Sequence, residues 1–366
     1  MTAGVPDNEW TADYAVVGGG IVGVLAAREI AARNPGADVV LLDKDAVGSG
    51  ASRRSAGLHF PRGASAVVRR MSAQSQYFYE GLARRRPELP IHPVPMLVLS
   101  RAGTQELTTT YLHLEPAGPD ALPGPPCPRL TLPPDGRVWS CAHAHRADVG
   151  DLTRALAAEL SPRVRLREGV RVVSLDSGPR GVRLGLGSGA ELTADRVLLC
   201  PGPWVHEPAW RSLTASAGLA VKKVVALHLD VRPEPGAPAV VFHDDDAFLL
   251  PLPDRWLFSY TSTRWGVDPD GAAVGLDPHD VAEALSCLRR WAPDLAGVPF
   301  SCRVLSGRVF SDAYSADRIP LVRTLDDHGR VVFAGAANGS GYRLAPAIAD
   351  QAAALLELPI GVGTLL

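Results

Sequence analysis

Lysine is nearly missing from this 366-residue chain: Lys44, Lys222 and Lys223 are the whole set among 37 basic residues. Thirty-nine acidic residues oppose them for a net charge of -2, so no basic footprint exists for nucleic acid or an anionic membrane surface. Cysteine is sparse as well. Cys127, Cys141, Cys200, Cys287 and Cys302 are odd in number and contain no C-x-x-C pair, which excludes a disulfide framework and a zinc site and leaves ordinary reduced thiols. No apolar run approaches the roughly 18 residues of a membrane span. The first ten residues, Met1–Trp10, are polar and acidic rather than a basic segment leading into an apolar one. These absences predict a cytoplasmic protein with a small-molecule partner. At 46% hydrophobic and 21% charged, the chain has material for a large core and for two domains.

What is present is concentrated at the N-terminal end. Ala12–Val17 is an apolar strand that runs directly into Gly18-Gly19-Gly20-Ile21-Val22-Gly23, a G-x-G-x-x-G turn opening the helix Ile21–Arg33. That context gives a common glycine pattern its meaning. Gly18 suits the tight turn, Gly20 lets backbone approach a pyrophosphate, and Gly23 lets the helix lie close on its sheet, with amides aimed at phosphate. Asp38–Leu42 reads as the next parallel strand. Asp43 ends it, about 20 residues beyond the glycines, where a carboxylate takes ribose hydroxyls.

Further along, Val47–Phe60 is rich in Gly and Ser and reads as a loop crossing a ligand. The spacing predicts a helix over Val67–Arg86, a strand over Ile91–Leu99 and a turn-rich excursion over Glu115–Pro134. A helix over Leu152–Leu160 precedes short strands that end in Asp195–Cys200. Within them Gly185–Ala190 is a second G-x-G-x-x-A, but no helix follows it, so it reads as a hairpin turn. Without a second dinucleotide unit, an enzyme that also binds NAD(P)H on this chain is not expected. Val221–Val231, Ala239–Phe242, Phe248–Leu252 and Trp256–Thr261 predict a mainly antiparallel sheet, and Pro278–Trp291 a helix. Val331–Gly335 is a buried strand that enters Asn338-Gly339-Ser340-Gly341-Tyr342-Arg343-Leu344, with Pro346 expected in the first turn of a helix over Ala347–Leu356. A glycine-rich loop thus feeds a helix at each end of the chain.

In this order, Val16–Gly23, Asp43, Gly48–Leu58, Ala194–Trp204, Ser315–Pro320 and Gly339–Ala347 resemble the FAD-dependent D-amino-acid oxidase superfamily, in particular its glycine oxidase and sarcosine oxidase type. The similarity spans nearly the whole chain. It implies an α/β fold, with a Rossmann-like FAD-binding domain in three pieces (11–90, 138–215 and 325–366). A substrate-binding domain on a mainly antiparallel sheet (91–137 and 216–324) accompanies it. It further implies that Gly18, Gly20 and Gly23 hold the FAD pyrophosphate and Asp43 the ribose, with Ile21, Val22 and Lys44 also on the cofactor. Gly50, Ser52, Arg53, Ala56, Gly57 and Leu58 would pass along the cofactor, Val172 touch its adenine side, and Gly202 and Trp204 close over its middle. Gly339, Gly341, Tyr342, Arg343 and Leu344 would line the flavin pyrimidine, where a cation and a helix N-terminus favour the reduced, anionic ring.

Three positions depart from the family pattern. Phe310 stands near the cysteine that links flavin in monomeric sarcosine oxidases, Leu257 near their oxygen-activating lysine, and Asp312 at the arginine that binds substrate carboxylate in glycine oxidases. The expected cofactor is therefore noncovalent FAD.

On the substrate side, His59 reads as a pocket histidine able to accept a proton, with covalent attachment to flavin or a structural role as alternatives. Arg308, then Arg62 and Arg264, are candidates to hold a substrate carboxylate. Tyr260 either hydrogen-bonds substrate or packs in the core. Asp244-Asp245-Asp246 reads as a solvated turn rather than a metal site. The resemblance implies oxidation of a C–N bond in a small amine or amino acid by hydride transfer to flavin N5, with O2 as acceptor and hydrogen peroxide as product. The alternatives are a dehydrogenase of the same fold, acting on an amine or 2-hydroxy acid with another acceptor, and a flavin-binding regulator without turnover.

Overall fold

The computed structural model describes residues 9–122, 130–271, 275–293 and 304–357, and the chain divides into two compact units. One unit holds the residues up to Arg53, Val149–Val221 and those from Asp312 on; the other holds Arg54–Asp148 and Lys222–Ser311. The expected first segment, 11–90, is cut at Arg53, and the helix Ala66–Arg85 falls with the antiparallel unit.

In the first unit, Val39–Leu42, Glu9–Val17, Glu191–Leu199 and Val331–Gly335 lie side by side and parallel. Val164–Arg167 extends this sheet in parallel beyond Val39–Leu42. Val39–Leu42 and Val331–Gly335 are buried throughout, as strands covered on both faces must be. Val172–Gly178 and Gly181–Leu186 join antiparallel, and the second glycine pattern is the turn between Gly181–Leu186 and Glu191–Leu199, with Gly189 at φ +86°. The helices Ile21–Arg33 and Gly341–Glu357 pack against each other. The latter begins six residues before the expected Ala347, so Pro346 lies inside it and Gly341 to Leu344 are helical. Pro346 is the sixth residue of this helix, past the amides that lack an intrahelical partner, so it removes one amide from the ladder, the one that would reach the Tyr342 carbonyl.

The second unit is built on an eight-stranded sheet. Its order is Val304–Tyr314, Ala220–Leu229, Trp256–Tyr260, Ala247–Pro251, Ala239–Phe242, Met96–Ser100, Arg137–Cys141, Leu114–Ala117. Pairing is parallel between Ala239–Phe242 and Met96–Ser100, whereas Trp256–Tyr260 is antiparallel to both its neighbours. Alternation along the strands feeds two cores: Leu97 and Leu99 join Phe242, Trp256, Phe258 and the helix Pro278–Trp291, while Met96 and Val98 join Phe60, Trp139, Leu250 and Leu257. The expected strand Ile91–Leu99 is broken by Pro93 and Pro95 into Ile91–Pro93 and Met96–Ser100. Cys141, Cys200 and Cys287 are buried and free, whereas Cys127 and Cys302 lie outside the described residues. Among the described residues no helix is long and apolar enough to cross a membrane.

Candidate functional site

The three glycines of the first turn have different physical reasons to be glycine. A Cβ on Gly18 would sit 2.1 Å from the Cys200 carbonyl oxygen at φ +109°, and one on Gly23 would sit 1.9 Å from the Gly18 carbonyl oxygen. Those two are required by the packing of strand, turn and helix. Gly20 is not: it has an ordinary φ of -72°, and its Cβ would approach only the Ser52 hydroxyl, at 3.3 Å. At the other helix, a Cβ on Gly341 would meet nothing within 4 Å. Space that no protein atom claims, at two helix N-termini in one unit, is what a phosphate-bearing cofactor needs.

Around this turn the expected residues converge. The Asp43 carboxylate accepts from Gly19 N (2.6 Å) and Asp45 N (2.8 Å); burial nevertheless pushes its pKa up. The Ser52 hydroxyl accepts the Ile21 amide (2.9 Å), capping a helix whose N-cap, Gly20, has no side chain to do so. The Lys44 ammonium lies 3.9 Å from the centroid of a Trp204 ring, and a Cβ on Gly50 would meet the same indole at 3.5 Å. Gly202 has φ +55° in the turn leading to Trp204, Val172 is buried at the start of its strand, and Arg53 packs on the Gly150 backbone.

At the second helix, Asn338 (φ +56°) and Gly339 (φ +77°) make the turn that delivers Gly341. The Arg343 guanidinium donates to Ser340 Oγ, Tyr342 and Leu344 are buried, and Gly339 N donates to Asp312 Oδ2 (2.9 Å). Asp312 itself lies near the end of Val304–Tyr314, and burial raises its pKa to about 6 against the Gly339 and Ala313 amides that it accepts. The residues expected to hold FAD in the first unit therefore fit the group.

Ala56, Gly57, Leu58 and His59 belong to the second unit, as do Arg62, Tyr260 and Arg308. Gly57 has φ +77°, and its carbonyl accepts from Ala147 N, next to the pairing of Leu58–His59 with His145–Ala147. The expectation that His59 faces a pocket is corrected: it has 0% exposure, its ring stacks on His145 at 4.5 Å, and Nε2 lies 2.7 Å from Gln76 Oε1. The Gln76 amide donates to Glu80 (2.9 Å), so its carbonyl is left to accept an Nε2–H from His59. Burial holds His145 down to about 4 and keeps it neutral.

The reading of Tyr260 as a substrate contact is also corrected. It is buried, its hydroxyl donates to the Asp280 carbonyl (3.0 Å), and Glu283 lies 3.2 Å away, so it ties sheet to helix. Burial, with Asp280 and Glu283 next, raises its pKa far above the ordinary phenol value. Arg62 is engaged by Asp246 at 2.8 Å and lies over the Tyr111 ring, while Arg264 pairs with Asp277. These pairs account for both charges within the protein. Arg308 donates one Nη to the Ser55 carbonyl (2.7 Å), has no carboxylate hydrogen-bonded to it among the described residues, and is held low by burial.

The aspartate run is more than a solvated turn. Asp244 takes Ser100 and the Arg101 amide, Asp245 takes Arg290 and the Trp291 indole, and Asp246 takes Arg62 and Thr261. Asp277, His279 and Asp280 have the mutual spacing of metal ligands, but the Lys223 ammonium fills the place of a cation. It lies 2.7 Å from Asp280, 3.2 Å from Asp277 and 2.8 Å from the Gly275 carbonyl. Nothing in the sequence marks this buried pair except the D-P-x-D capping pattern at 277–280.

A parallel-sheet unit with a glycine turn, an acidic strand end and two helix N-termini, in a chain that also carries a mainly antiparallel unit, defines an α/β nucleotide-cofactor fold. A profile of the DAO family, FAD dependent oxidoreductases, matches residues 13–355, and the chain belongs to that family. The fold is similar to glycine oxidase from Geobacillus kaustophilus (TM-score 0.76, 20% identity, 95% of each chain covered). It is also similar to L-proline dehydrogenase from P. horikoshii (TM-score 0.79, 17% identity, 95% of this chain and 94% of that one). Iminodiacetate oxidase from Chelativorans sp. BNC1 gives a TM-score of 0.71 at 19% identity, over 94% of this chain and 97% of that one. No curated protein matches the sequence.

Proposed function

We propose that this FAD-dependent oxidoreductase oxidises a C–N bond of a small amine or amino acid and passes the electrons to O2, releasing hydrogen peroxide. The observation that carries the reading is the pair of helix N-termini in one unit, at Gly20 and Gly341, each with room that the protein leaves open. Bound FAD supplies a two-electron acceptor that takes hydride from the carbon next to nitrogen. Gly20, Ile21 and Asp43 would hold the pyrophosphate and ribose, Lys44, Gly50 and Trp204 would flank the middle, and Gly341 to Leu344 would hold the pyrimidine. The chain's part is orientation and charge. The oxidised substrate leaves as an imine, which water hydrolyses.

Glycine oxidase and iminodiacetate oxidase among the structural neighbours support an oxidase of this substrate class. A dehydrogenase with a different acceptor is the second reading. Leu257, fully buried in an apolar cluster near the position that the family resemblance gives to an oxygen-activating lysine, favours it.

The purified protein is expected to be yellow and to release intact FAD on acid precipitation, since Phe310 cannot form a thioether and His59 is enclosed. Anaerobic mixing with a panel of amines, amino acids and 2-hydroxy acids should bleach the flavin with members of the first two groups, and air should restore the colour with one peroxide per turnover. Flavin that stays with the precipitate, or a colour that no substrate bleaches, would contradict the proposal; bleaching without recovery in air selects the dehydrogenase.

Arg343→Leu is expected to keep fold and FAD while lowering the flavin potential. A lost charge-assisted hydrogen bond of about 1.5–3 kcal/mol corresponds to roughly 30–65 mV for a two-electron couple. Spectroelectrochemical titration measures it, and an unchanged potential would place the guanidinium away from the ring.

A further inference from the structure

Asp312 is a carboxylate without a countercharge. Its two hydrogen bonds come from backbone amides, Gly339 N and Ala313 N, and among the described residues no Lys, Arg or His pairs with it. Several other acids of this chain have a cation: Asp280 has Lys223, Asp277 has Lys223 and Arg264, and Asp245 has Arg290, whereas Asp43, like Asp312, accepts from a pair of backbone amides. Burial without a cation favours the protonated acid, and the rise of the Asp312 pKa to about 6 follows from it. Two amides explain how the group is tolerated, not why it carries charge, since an asparagine oxygen would accept the Gly339 amide equally well.

Its place gives the reason. Asp312 is only partly buried, Gly339 beside it is exposed, and two residues on Gly341 begins the helix whose first turn carries Tyr342 and Arg343. A negative charge there complements a positive ligand and repels a carboxylate.

We infer that Asp312 is the specificity-determining residue of the substrate site, and that it selects amines carrying a second, cationic group over those carrying a carboxylate. This rests on the proposed flavin site at Gly339 to Leu344 and narrows its substrate class. A protonated ammonium or guanidinium at one end would pair with Asp312 while the neutral amine at the other is oxidised.

Three amines of similar length separate the cases: 1,4-diaminobutane, butylamine and 4-aminobutanoate each carry an oxidisable primary amine and differ in a cationic, neutral or anionic far end, the two equivalent ends of the diamine adding no more than about twofold. In anaerobic stopped-flow reduction, the diamine is expected to exceed 4-aminobutanoate in reduction rate per concentration by about 100-fold or more. Asp312→Asn, which keeps the acceptor for Gly339 N–H, should shrink that ratio at least about tenfold, and Asp312→Glu should restore much of it. A ratio unchanged in Asp312→Asn, or a wild type that prefers 4-aminobutanoate, overturns the inference and leaves the proposed oxidation standing.

Binding is read separately from turnover. Tetramethylammonium and acetate, neither oxidisable, are titrated against the flavin absorbance of the holoprotein. Tighter binding of the cation, weakened in Asp312→Asn, supports the role of Asp312 even if no amine bleaches the flavin, in which case the proposed reaction alone fails. Acetate binding at least as tightly as the cation overturns the role of Asp312. If Asp312→Asn does not retain FAD, the wild-type comparisons of diamine with aminobutanoate and of cation with acetate decide by themselves.

Discussion

Gly20→Val is expected to give a folded protein without FAD. The backbone at Gly20 is extended, with φ -72° and ψ 177°, and a Cβ there would press on the Ser52 hydroxyl at 3.3 Å, so a shift of that hydroxyl by a few tenths of an ångström is all that the Cβ asks of the apoprotein. The volume it fills is the approach to the first helix amides, where the pyrophosphate would sit, and FAD affinity should fall by at least about 100-fold. Gly18→Val is the control with the opposite outcome. Its Cβ would lie 2.1 Å from the Cys200 carbonyl at φ +109°, so strand and turn must separate at a cost of about 3 kcal/mol or more. Flavin-to-protein ratio and thermal unfolding by circular dichroism, measured on both variants, check this. Full FAD in Gly20→Val would remove the pyrophosphate from that turn, and an unfolded Gly20→Val would mean that the turn needs its glycine for packing.

Lys223→Met should be the most destabilising single change outside the glycine turn. Lys223 and Asp280 have side-chain exposures of 1% and 0%, and their 2.7 Å contact leaves the Asp280 carboxylate without another cation once the ammonium is removed. Stranding a buried charge in this way costs about 3–5 kcal/mol. The pair also anchors the start of the helix Pro278–Trp291, because Asp280 Oδ2 accepts the Asp277 amide of the capping box. Urea unfolding should show a midpoint moved well down. Adding Asp280→Asn should recover part of the loss, since the stranded charge is then gone. A midpoint within error of the wild type would show that solvent reaches Asp280 readily.

How much of this could be read from the sequence follows the range of the interactions. Val331–Gly335 and Pro278–Trp291 have the bounds expected of them, because a continuous apolar run and an Asp-Pro capping start are local signals. The helix Gly341–Glu357 starts early because a proline was given the role of a starting residue when it lay past the first turn. Of the candidate site, the glycine turn and the strand end at Asp43 are legible as local structure, because the turn, strand and helix that define them are contiguous. The pocket reading of His59 fails, and the choice between substrate and core for Tyr260 stays open in the sequence, since their partners, Gln76 and Asp280, come from helices 17 and 20 residues away, and no periodicity announces a hydrogen bond. The partner of Arg62 is hidden from the sequence for the same reason, with Asp246 lying 184 residues distant. Asp312 could be placed by motif alignment, but its lack of a cation emerged only in three dimensions.

The last strand of the antiparallel sheet, Leu114–Ala117, has a consequence for how the molecule meets its own kind. Among the described residues it pairs with Arg137–Cys141 on one side only, which leaves a row of amides and carbonyls along the other. Such a margin is a template for another extended chain, and proteins blunt it with short strands, charge or proline. Here all three coincide: the strand is four residues long, Glu115 and Pro116 occupy its middle, and both are exposed. Pro116 contributes no amide to the row, and the carboxylate of Glu115 disfavours a stacked copy of the same strand. Growth of the sheet by edge-to-edge addition, the first step towards aggregation, is thereby obstructed at this margin.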